Sequence, residues 1–438
     1  MKSPVVALLL ALCFFAGLPV WAQEKSPAPE PTAYPTPSIA PGTDPATATR
    51  AWLDTVPADK KAKSDAYFEG GYWLILWNFL VNAAIAIFLL ASGISARIRD
   101  WAERLIRFKA IQVALYGIVF LLLVAVLSFP LSVYEGFYRE HQYGMATQTF
   151  GPWFIDHLKG LGFALIGLPI LLIVVYSVFR KAPNTWWIWT AAVMSFFSLL
   201  GSFIFPVFVE PAFNKYTPLT DPAIREPILA LARANQIPVD KVFVVDASRQ
   251  TTRVSANVAG FLGTTRIALN DNLLRQCTLP EIRHVMGHEM GHFVLNHGAK
   301  FVTASAIVFL VGFGLTHLFF NVLLRKRGEA WRVRGIGDPA GLPLIMLVFG
   351  TFSFLATPIQ HTLIRVNESE ADIFGLNTAR EPDAAAKVAL KLGTYRKLDP
   401  GPVEEFIFFD HPSGRARIRM AMDWKAAHLP CGTTEPGQ

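Results

Sequence analysis

Two histidines enclose a glutamate in the stretch VMGHEMGHF, residues 285–293. On an α-helix, positions i and i+4 lie one turn apart on the same face, so His288 and His292 can direct two imidazoles at one metal ion. Glu289 follows the first histidine, where it can reach a metal-bound water and accept its proton, as in the H-E-x-x-H pattern of zinc peptidases. The stretch therefore predicts a metal-dependent hydrolytic site.

The residues around this pattern suggest how the helix is packed. Gly287 and Gly291 are poor helix formers, and they would let another element approach the helix closely. His284 and His297 lie nearby, but only His288 has a glutamate in the catalytic position, so we interpret these two as neighbours rather than ligands. The alternative is a helix whose histidines serve only packing or hydrogen bonding.

A catalytic zinc usually has three protein ligands and one open position, and the stretch NESEADIFG offers the third. Glu368 and Asp372 are one helical turn apart, so both can face the histidine helix. One carboxylate would bind the metal, and the other would orient a ligating histidine through its free ring nitrogen. Glu370 lies about 200° round the helix from Glu368 and is predicted to point elsewhere. An acidic, solvated helix face is the alternative.

The elements that must position these side chains are largely membrane helices. Of the 438 residues, 52% are hydrophobic and only 17% are charged, whereas about a quarter of an average soluble domain is charged. Six apolar runs approach the roughly 20 residues that a bilayer-spanning helix needs. They cover residues 72–93, 110–131, 160–179, 186–208, 301–324 and 341–358. The net charge of +7 comes from short segments between these runs, not from a basic stripe with aromatics, so we expect no nucleic-acid binding.

The basic residues also predict how the chain crosses the membrane. They cluster after the first, third and fifth runs, and such loops are typically cytoplasmic. The clusters comprise Arg97, Arg99, Arg104, Arg107 and Lys109, then Arg180 and Lys181, then Arg325, Lys326, Arg327, Arg332 and Arg334. Residues 210–300 and 359–438 then fall on the exported face. An N-terminal export signal over residues 1–22 agrees with this arrangement and indicates a bacterial inner-membrane protein with a periplasmic catalytic side.

These patterns divide the chain into six segments. They are a signal peptide or signal anchor (1–22), a proline-rich exported linker with an amphipathic segment (23–71), four transmembrane helices (72–209), a zinc-peptidase segment (210–300), two transmembrane helices (301–358) and a C-terminal segment (359–438). Within the peptidase segment, KVFVVDAS and RIALN read as strands, SANVAGFLG as an edge strand or loop, and the histidine helix begins near Pro280. Cys277 and Cys431 either form a disulfide or are free thiols.

Several ordered motifs together resemble the membrane-integrated zinc endopeptidases of the CAAX prenyl protease type I family. They are HEMGH, ESEAD, PAFNKYTPL (211–219), SANVAGF, HPSGRARI (411–418) and REHQYGMATQTFGPWFIDHLKG, and the resemblance spans roughly residues 50–425. It implies a mainly α, polytopic membrane protein of about six spans plus an N-terminal signal. The spans would enclose a chamber, and the peptidase domain would contain a small β-sheet.

The same resemblance assigns roles to individual residues. It implies one Zn²⁺ per chain bound by His288, His292 and Glu368, with Glu289 as general base and Asp372 supporting a histidine ligand. His411 would contact the substrate carbonyl region and donate a hydrogen bond to the oxyanion, and Arg417 matches the arginine of that motif. The edge strand Asn257, Val258, Ala259 and Gly260 would pair with an extended peptide through its main chain, which predicts broad selectivity.

The expected activity is therefore hydrolysis of peptide bonds in extended polypeptides by a zinc-dependent membrane metalloendopeptidase. The family usually has seven spans and a cytosolic catalytic side, so an exported site would meet unfolded, mislocalised or lipid-linked polypeptides instead of prenylated CAAX proteins. Two alternatives are a metal transporter and a catalytically silent membrane chaperone. The first is disfavoured because His317 is nearly the only ionisable residue inside the spans. The second has no need of Glu289. The patterns do not predict an oligomeric state.

Overall fold

The computed structural model of the chain describes residues 34–260 and 265–429. The predicted signal segment 1–22 and both Cys13 and Cys431 lie outside the described residues, so the proposed disulfide of Cys277 stays an open prediction. The described chain is mainly helical, with one small sheet, as the sequence predicts. Its apolar residues form three separate cores, one among the membrane helices and two in the polar segments that carry the candidate site.

Long apolar helices account for the predicted spans. Within the described residues five single helices are long and apolar enough to cross a membrane. A pair of helices that meet at a bend of 56° is long and apolar enough when its two members are taken together, which gives five or six spans. The single helices are α2 (Ala58–Ala91), α4 (Lys109–Gln142), α5 (Phe150–Lys181), α6 (Trp186–Ala212) and α10 (His297–Arg327). The bent pair is α11 (Leu342–Leu355) followed by α12 (Thr357–Ala379).

The helices are longer than the apolar runs that revealed them. Helix α2 begins at Ala58, whereas the hydrophobic run begins near residue 72. The first turns of the helix are polar and were therefore not part of the apolar run, but their residues are good helix formers. Helix α4 continues past the bilayer-length run through a π-helical turn, Tyr134–Tyr138, and α6 does the same through Phe205–Val209. Before α4, the amphipathic helix α3 (Ile94–Leu105) lies after the first span.

The outer surface of these helices is apolar. Val126, Ile166 and Phe208 are each exposed over about two-thirds of their surface or more. Such exposure on bilayer-length helices is expected of side chains that face lipid, where the hydrophobic effect does not require burial in protein. The chain is an integral membrane protein.

The three basic loops lie together at one end of the membrane helices. Arg99, buried in α3, forms an ion pair with Asp338 at 2.5 Å, and Arg334 contacts Glu103 at 2.9 Å. Loop 334–339 and Arg180, in the last turn of α5, line a cavity of about 280 Å³ with α3 and the start of α4. The predicted cytoplasmic loops therefore share one face.

The peptidase segment folds as a four-stranded sheet with helices against it. The strands are β1 (Tyr216–Pro218), β2 (Val242–Val245), β3 (Ala256–Ala259) and β4 (Arg266–Asn270), in the order β1-β2-β4-β3. Strand β2 pairs with β4 in parallel, whereas β1–β2 and β3–β4 are antiparallel. The predicted strands at 242–245 and 266–270 are confirmed. Strand β3 lies at the sheet edge, so one side of its main chain is unpaired among the described strands.

Helices α7 (Pro222–Ala234), α8 (Asp271–Gln276) and α9 (Leu279–Val294) complete this segment. Asp221 caps α7 by accepting from the backbone nitrogen of Ala223, with Pro222 in the first turn. After α12, the C-terminal segment contains α13 (Pro382–Leu392), α14 (Pro402–Phe408) and α15 (Gly414–His428). The short helix α1 (Pro45–Leu53) packs on α15 with Trp52 fully buried.

Candidate active site

Helix α9 holds the H-E-x-x-H pattern, and its start is fixed by a capping box. The Glu281 carboxylate accepts from the backbone nitrogen of Thr278 at 2.6 Å, and Pro280 occupies the first turn. Glu281 is almost fully buried and also forms an ion pair with Lys391 of α13 at 2.8 Å. The capping box defines the helical register from which His288 and His292 project.

Three side chains converge on one point between α9 and α12. The Nε2 atoms of His288 and His292 are 3.1 Å apart. Glu368 places Oε2 at 3.3 Å from Nε2 of His288 and Oε1 at 3.6 Å from Nε2 of His292. In a tetrahedral zinc site with ligands at about 2.1 Å, two ligand atoms are separated by about 3.4 Å. Two imidazoles and one carboxylate at these distances fit such an ion.

Asp372 lies one turn along α12 from Glu368 and contacts the far side of His288. Its Oδ1 is 2.9 Å from Nδ1 of His288. A carboxylate accepts hydrogen bonds, so Nδ1 carries the proton and the Nε2 lone pair faces the cluster, as a metal ligand requires. Burial alone would lower the pKa of His288, but the hydrogen bonds to Asp372 and Glu368 outweigh it and raise the pKa to about 10. The two carboxylates therefore favour a positive charge at the His288 ring.

Glu289 lies beside the cluster without being part of it. Among the described residues none forms a hydrogen bond or ion pair with its carboxylate, which leaves both oxygens available. Burial, opposed by the charge of His288, raises the pKa of Glu289 to about 7. A general base works best when its pKa lies near the operating pH, so this carboxylate suits proton abstraction near neutrality.

The HPS segment reaches the cluster from the C-terminal side. Nε2 of His411 lies 3.2 Å from Oε2 of Glu368, and its Nδ1 lies 2.8 Å from Oδ1 of Asp410. Ser413 caps α15 by accepting from the backbone nitrogen of Ala416, which fixes the position of His411 just before the helix. Burial lowers the pKa of His411, although the carboxylates of Asp410 and Glu368 oppose this shift.

Arg417 connects the two carboxylates of α12. Its guanidinium lies 3.3 Å from Oε2 of Glu368 through Nη2 and 2.9 Å from Oδ2 of Asp372 through Nε. All the predicted candidates on α9, α12 and the HPS segment are therefore brought together. The predicted substrate strand, Asn257 to Gly260, lies on β3 at the sheet edge, and β3 packs against α9. Gly260 directly follows that strand and has a positive φ of 139°.

Sequence reasoning did not identify the contacts that two residues, Asp410 and Glu370, make at the candidate site. Asp410 was not singled out, although it directly precedes His411 and takes its Nδ1 hydrogen bond. Glu370 does point away from the cluster, as its place on the helix predicts, but it contacts His297, which in turn contacts His292. Adjacency to His411 could have indicated Asp410. Nothing in local spacing indicates the contact between Glu370 and His297, which lie far apart in the chain.

This combination of bilayer-length helices and a histidine–glutamate cluster defines a membrane-embedded metalloprotease, and the comparisons with known proteins agree. The model of peptidase family M48 matches residues 218–425, and the model of the CAAX prenyl protease N-terminal region, with five membrane helices, matches residues 46–215. The chain belongs to the M48 family and is of the CAAX prenyl protease type, which confirms the resemblance seen in its motifs.

Individual relatives cover most of the chain. The uncharacterized metalloprotease YhfN of Bacillus subtilis is 30% identical over 335 residues, which are 76% of this chain and 78% of that protein. The CAAX prenyl protease 1 homolog of Arabidopsis thaliana is 31% identical, over 66% of this chain and 68% of its own. The crystal structure of S. mikatae Ste24p has a TM-score of 0.71 at 23% identity and covers 84% of this chain and 90% of its own, so the two share a fold. The family match favours neither the transporter nor the chaperone alternative.

Proposed function

We propose that this metalloprotease uses one zinc ion, held by His288, His292 and Glu368, to cleave extended polypeptides on the exported face of a bacterial inner membrane. The observation that supports the metal site most directly is the convergence of its ligand atoms. The two imidazole Nε2 atoms are 3.1 Å apart, and the two carboxylate oxygens of Glu368 lie 3.3 Å from His288 and 3.6 Å from His292. Two imidazoles and one carboxylate form a donor set typical of catalytic zinc, with a fourth position open to water or substrate. When bound, zinc supplies a Lewis acid that polarises the peptide carbonyl and the attacking water.

The chain's own residues then carry the proton and the charge. Glu289, unpaired and adjacent to the cluster, accepts the proton of the attacking water and can pass it to the leaving amine. Asp410 accepts from Nδ1 of His411, so in the protonated form of this histidine Nε2–H donates to the oxyanion that develops on the carbonyl. Arg417 lies against both Glu368 and Asp372 and keeps these two carboxylates in place. Asp372 orients His288.

The substrate class follows from the sheet edge. Strand β3 hydrogen bonds only to β4 among the described strands, so its other side can pair with an extended peptide. Main-chain pairing depends little on side chains, which favours unfolded or misassembled polypeptides and a role in envelope quality control. A chamber bounded by the membrane helices would admit such chains.

The exported orientation rests on charge. Three basic loops meet at one end of the membrane helices, and basic loops are retained in the cytoplasm. The sheet and α9 lie on the side where α4 ends, since Ala146, just beyond α4, pairs with Thr251. The site and the basic face are therefore at opposite ends of α4.

The decisive experiment measures zinc content and casein cleavage side by side for detergent-purified wild type and Glu289→Gln. We expect one zinc per chain in both proteins and cleavage by the wild type alone, because the substitution removes the base and no metal ligand. Chelation should abolish cleavage and added zinc should restore it. Absence of zinc from wild type grown with supplied metal would overturn the proposal. Equal cleavage by both proteins would reject Glu289 as the base.

A further inference from the structure

A second imidazole lies directly behind one of the proposed ligands. Nδ1 of His297 is 2.9 Å from Nδ1 of His292, with the rings nearly edge to face. His297 is only 4% exposed. This contact exists because α9 ends at Val294 and Asn296 adopts a left-handed conformation, with φ 53°, so the chain turns back before α10 begins. One of the two nitrogens must donate and the other must accept.

The partner on the other side of His297 determines which nitrogen donates. Nε2 of His297 is 3.0 Å from Oε2 of Glu370, a carboxylate that also forms an ion pair with Lys300. A carboxylate held by a lysine is ionised and can only accept. Nε2 of a neutral His297 therefore carries the proton, and its Nδ1 is a lone pair. His292 must then donate from its own Nδ1, which leaves its Nε2 lone pair facing His288 and Glu368.

The two ligand histidines are thus supported in different ways. Asp372, which is buried, contacts His288 directly. His292 reaches its carboxylate through an intervening imidazole, and that carboxylate, Glu370, is 42% exposed. The same proton arrangement results in both cases, with Nδ1–H pointing outward and Nε2 free for a metal.

We propose that His297 and Glu370 are positioning residues, a relay that holds His292 in the tautomer and ring orientation required for metal binding. The relay rests on the proposed metal site and requires no change of charge. Outer hydrogen bonds of this kind typically contribute a factor of about 10 to 100 in metal affinity. Because Glu370 is exposed and pairs with Lys300 on the first turn of α10, the metal affinity at His292 depends on a surface ion pair at the start of a membrane helix.

The test is a zinc titration of the metal-stripped, full-length protein in detergent, in competition with a chromophoric chelator. His297→Phe removes the acceptor and should weaken zinc binding about 10- to 100-fold. Glu370→Ala should weaken it by a smaller factor, and Glu370→Gln should restore most of the loss because the amide oxygen still accepts from Nε2 of His297. Asp423→Ala, which breaks an exposed ion pair with Arg419 on α15, is the matched control and should bind like wild type.

A cobalt titration adds a spectroscopic readout. If the relay orients His292, the visible absorption of the cobalt-loaded protein should change in His297→Phe and Glu370→Ala but not in Asp423→Ala. Wild-type affinity and spectra in both relay variants would overturn the relay while leaving the metal site intact. Failure of the wild type itself to bind zinc would instead overturn the proposed function. If His297→Phe does not fold, the exposed position of Glu370 still permits the test.

Discussion

Gly375 of α12 lies against the backbone of His288. A Cβ atom added at Gly375 would be 2.9 Å from the backbone nitrogen of His288, a distance that real Cβ atoms essentially never show. The contact is reciprocal, since a Cβ at Gly287 would lie 3.1 Å from Cα of Gly375. A Cβ at Gly291 would meet Ala371 and Phe374 of the same helix, so the prediction that both glycines permit close packing is confirmed. This approach brings Glu368 and Asp372 within reach of the histidines.

Gly375→Ala should therefore separate α9 from α12. The obstructing atoms belong to a backbone and cannot move aside, so we expect a loss of about 1 to 3 kcal/mol in stability together with weaker metal retention. Gly162→Ala is the control, because a Cβ there meets nothing within 4 Å on α5. Thermal melting and zinc content of both purified variants check the prediction. Equal melting temperatures and zinc contents of the two variants would show that the close approach of α9 and α12 is not needed for stability or metal binding.

His411→Gln should lower kcat about 100- to 1,000-fold, the cost of losing one oxyanion donor, with zinc content unchanged. His411 contacts Glu368 and Asp410 but is not one of the proposed ligands. His428→Gln serves as control, because that histidine stacks on Trp424 near the end of α15. Steady-state cleavage of a fluorogenic peptide gives the comparison. A loss of zinc in His411→Gln would instead assign His411 to metal binding.

Stability should fall as the pH drops through the range set by His284. Burial lowers the pKa of His284 to about 4, whereas an unfolded histidine titrates near 6.5. Below pH 6.5 the unfolded chain binds a proton that the folded chain excludes, so the folded state loses up to about 3 kcal/mol between pH 6.5 and 4.

His284→Gln removes that proton and should flatten this part of the pH profile. The measurement compares apparent melting temperatures of wild type and variant at pH 7.5 and 5 in the presence of chelator, so that metal release does not contribute. A wild-type decrease no larger than that of the variant would contradict the assignment.

The membrane orientation can be read with a reporter that becomes active only after export, such as alkaline phosphatase, whose disulfides form outside the cytoplasm. A fusion after Leu429 should be active, and one inserted in the loop after Lys181 should be inactive. The opposite pattern would place the proposed site in the cytosol. The two fusions control for each other, since both retain the first three spans.

The parts of the site that spacing alone predicts are those within one helix. His288 with His292, and Glu368 with Asp372, each share a face because of the 3.6-residue turn, and Gly287 indicated a close neighbour without identifying it. The relay behind His292 was not predictable in this way. It depends on the left-handed turn at Asn296, which breaks the helical periodicity, and on a pairing with Glu370 that only the tertiary fold creates.

The fold was predictable to a similar extent. Hydropathy located the spans because lipid-facing helices must be apolar, but it could not locate the polar start of α2 or the π-helical turns within α4 and α6. The strands at 242–245 and 266–270 were recognisable as short, mainly apolar runs. Their order was not, since it depends on packing against α9 rather than on any local pattern.

The bend of 56° between α11 and α12 makes the carboxylate helix a direct continuation of the last membrane span. During synthesis, a ribosome that has completed α9 has made both histidines, but Glu368 follows only after two further hydrophobic helices. The nascent chain thus carries an incomplete ligand set until its last span has been inserted. The protease therefore cannot become active before its last hydrophobic helix has been made. A chain truncated after Arg327 should be inserted into the membrane but have no proteolytic activity.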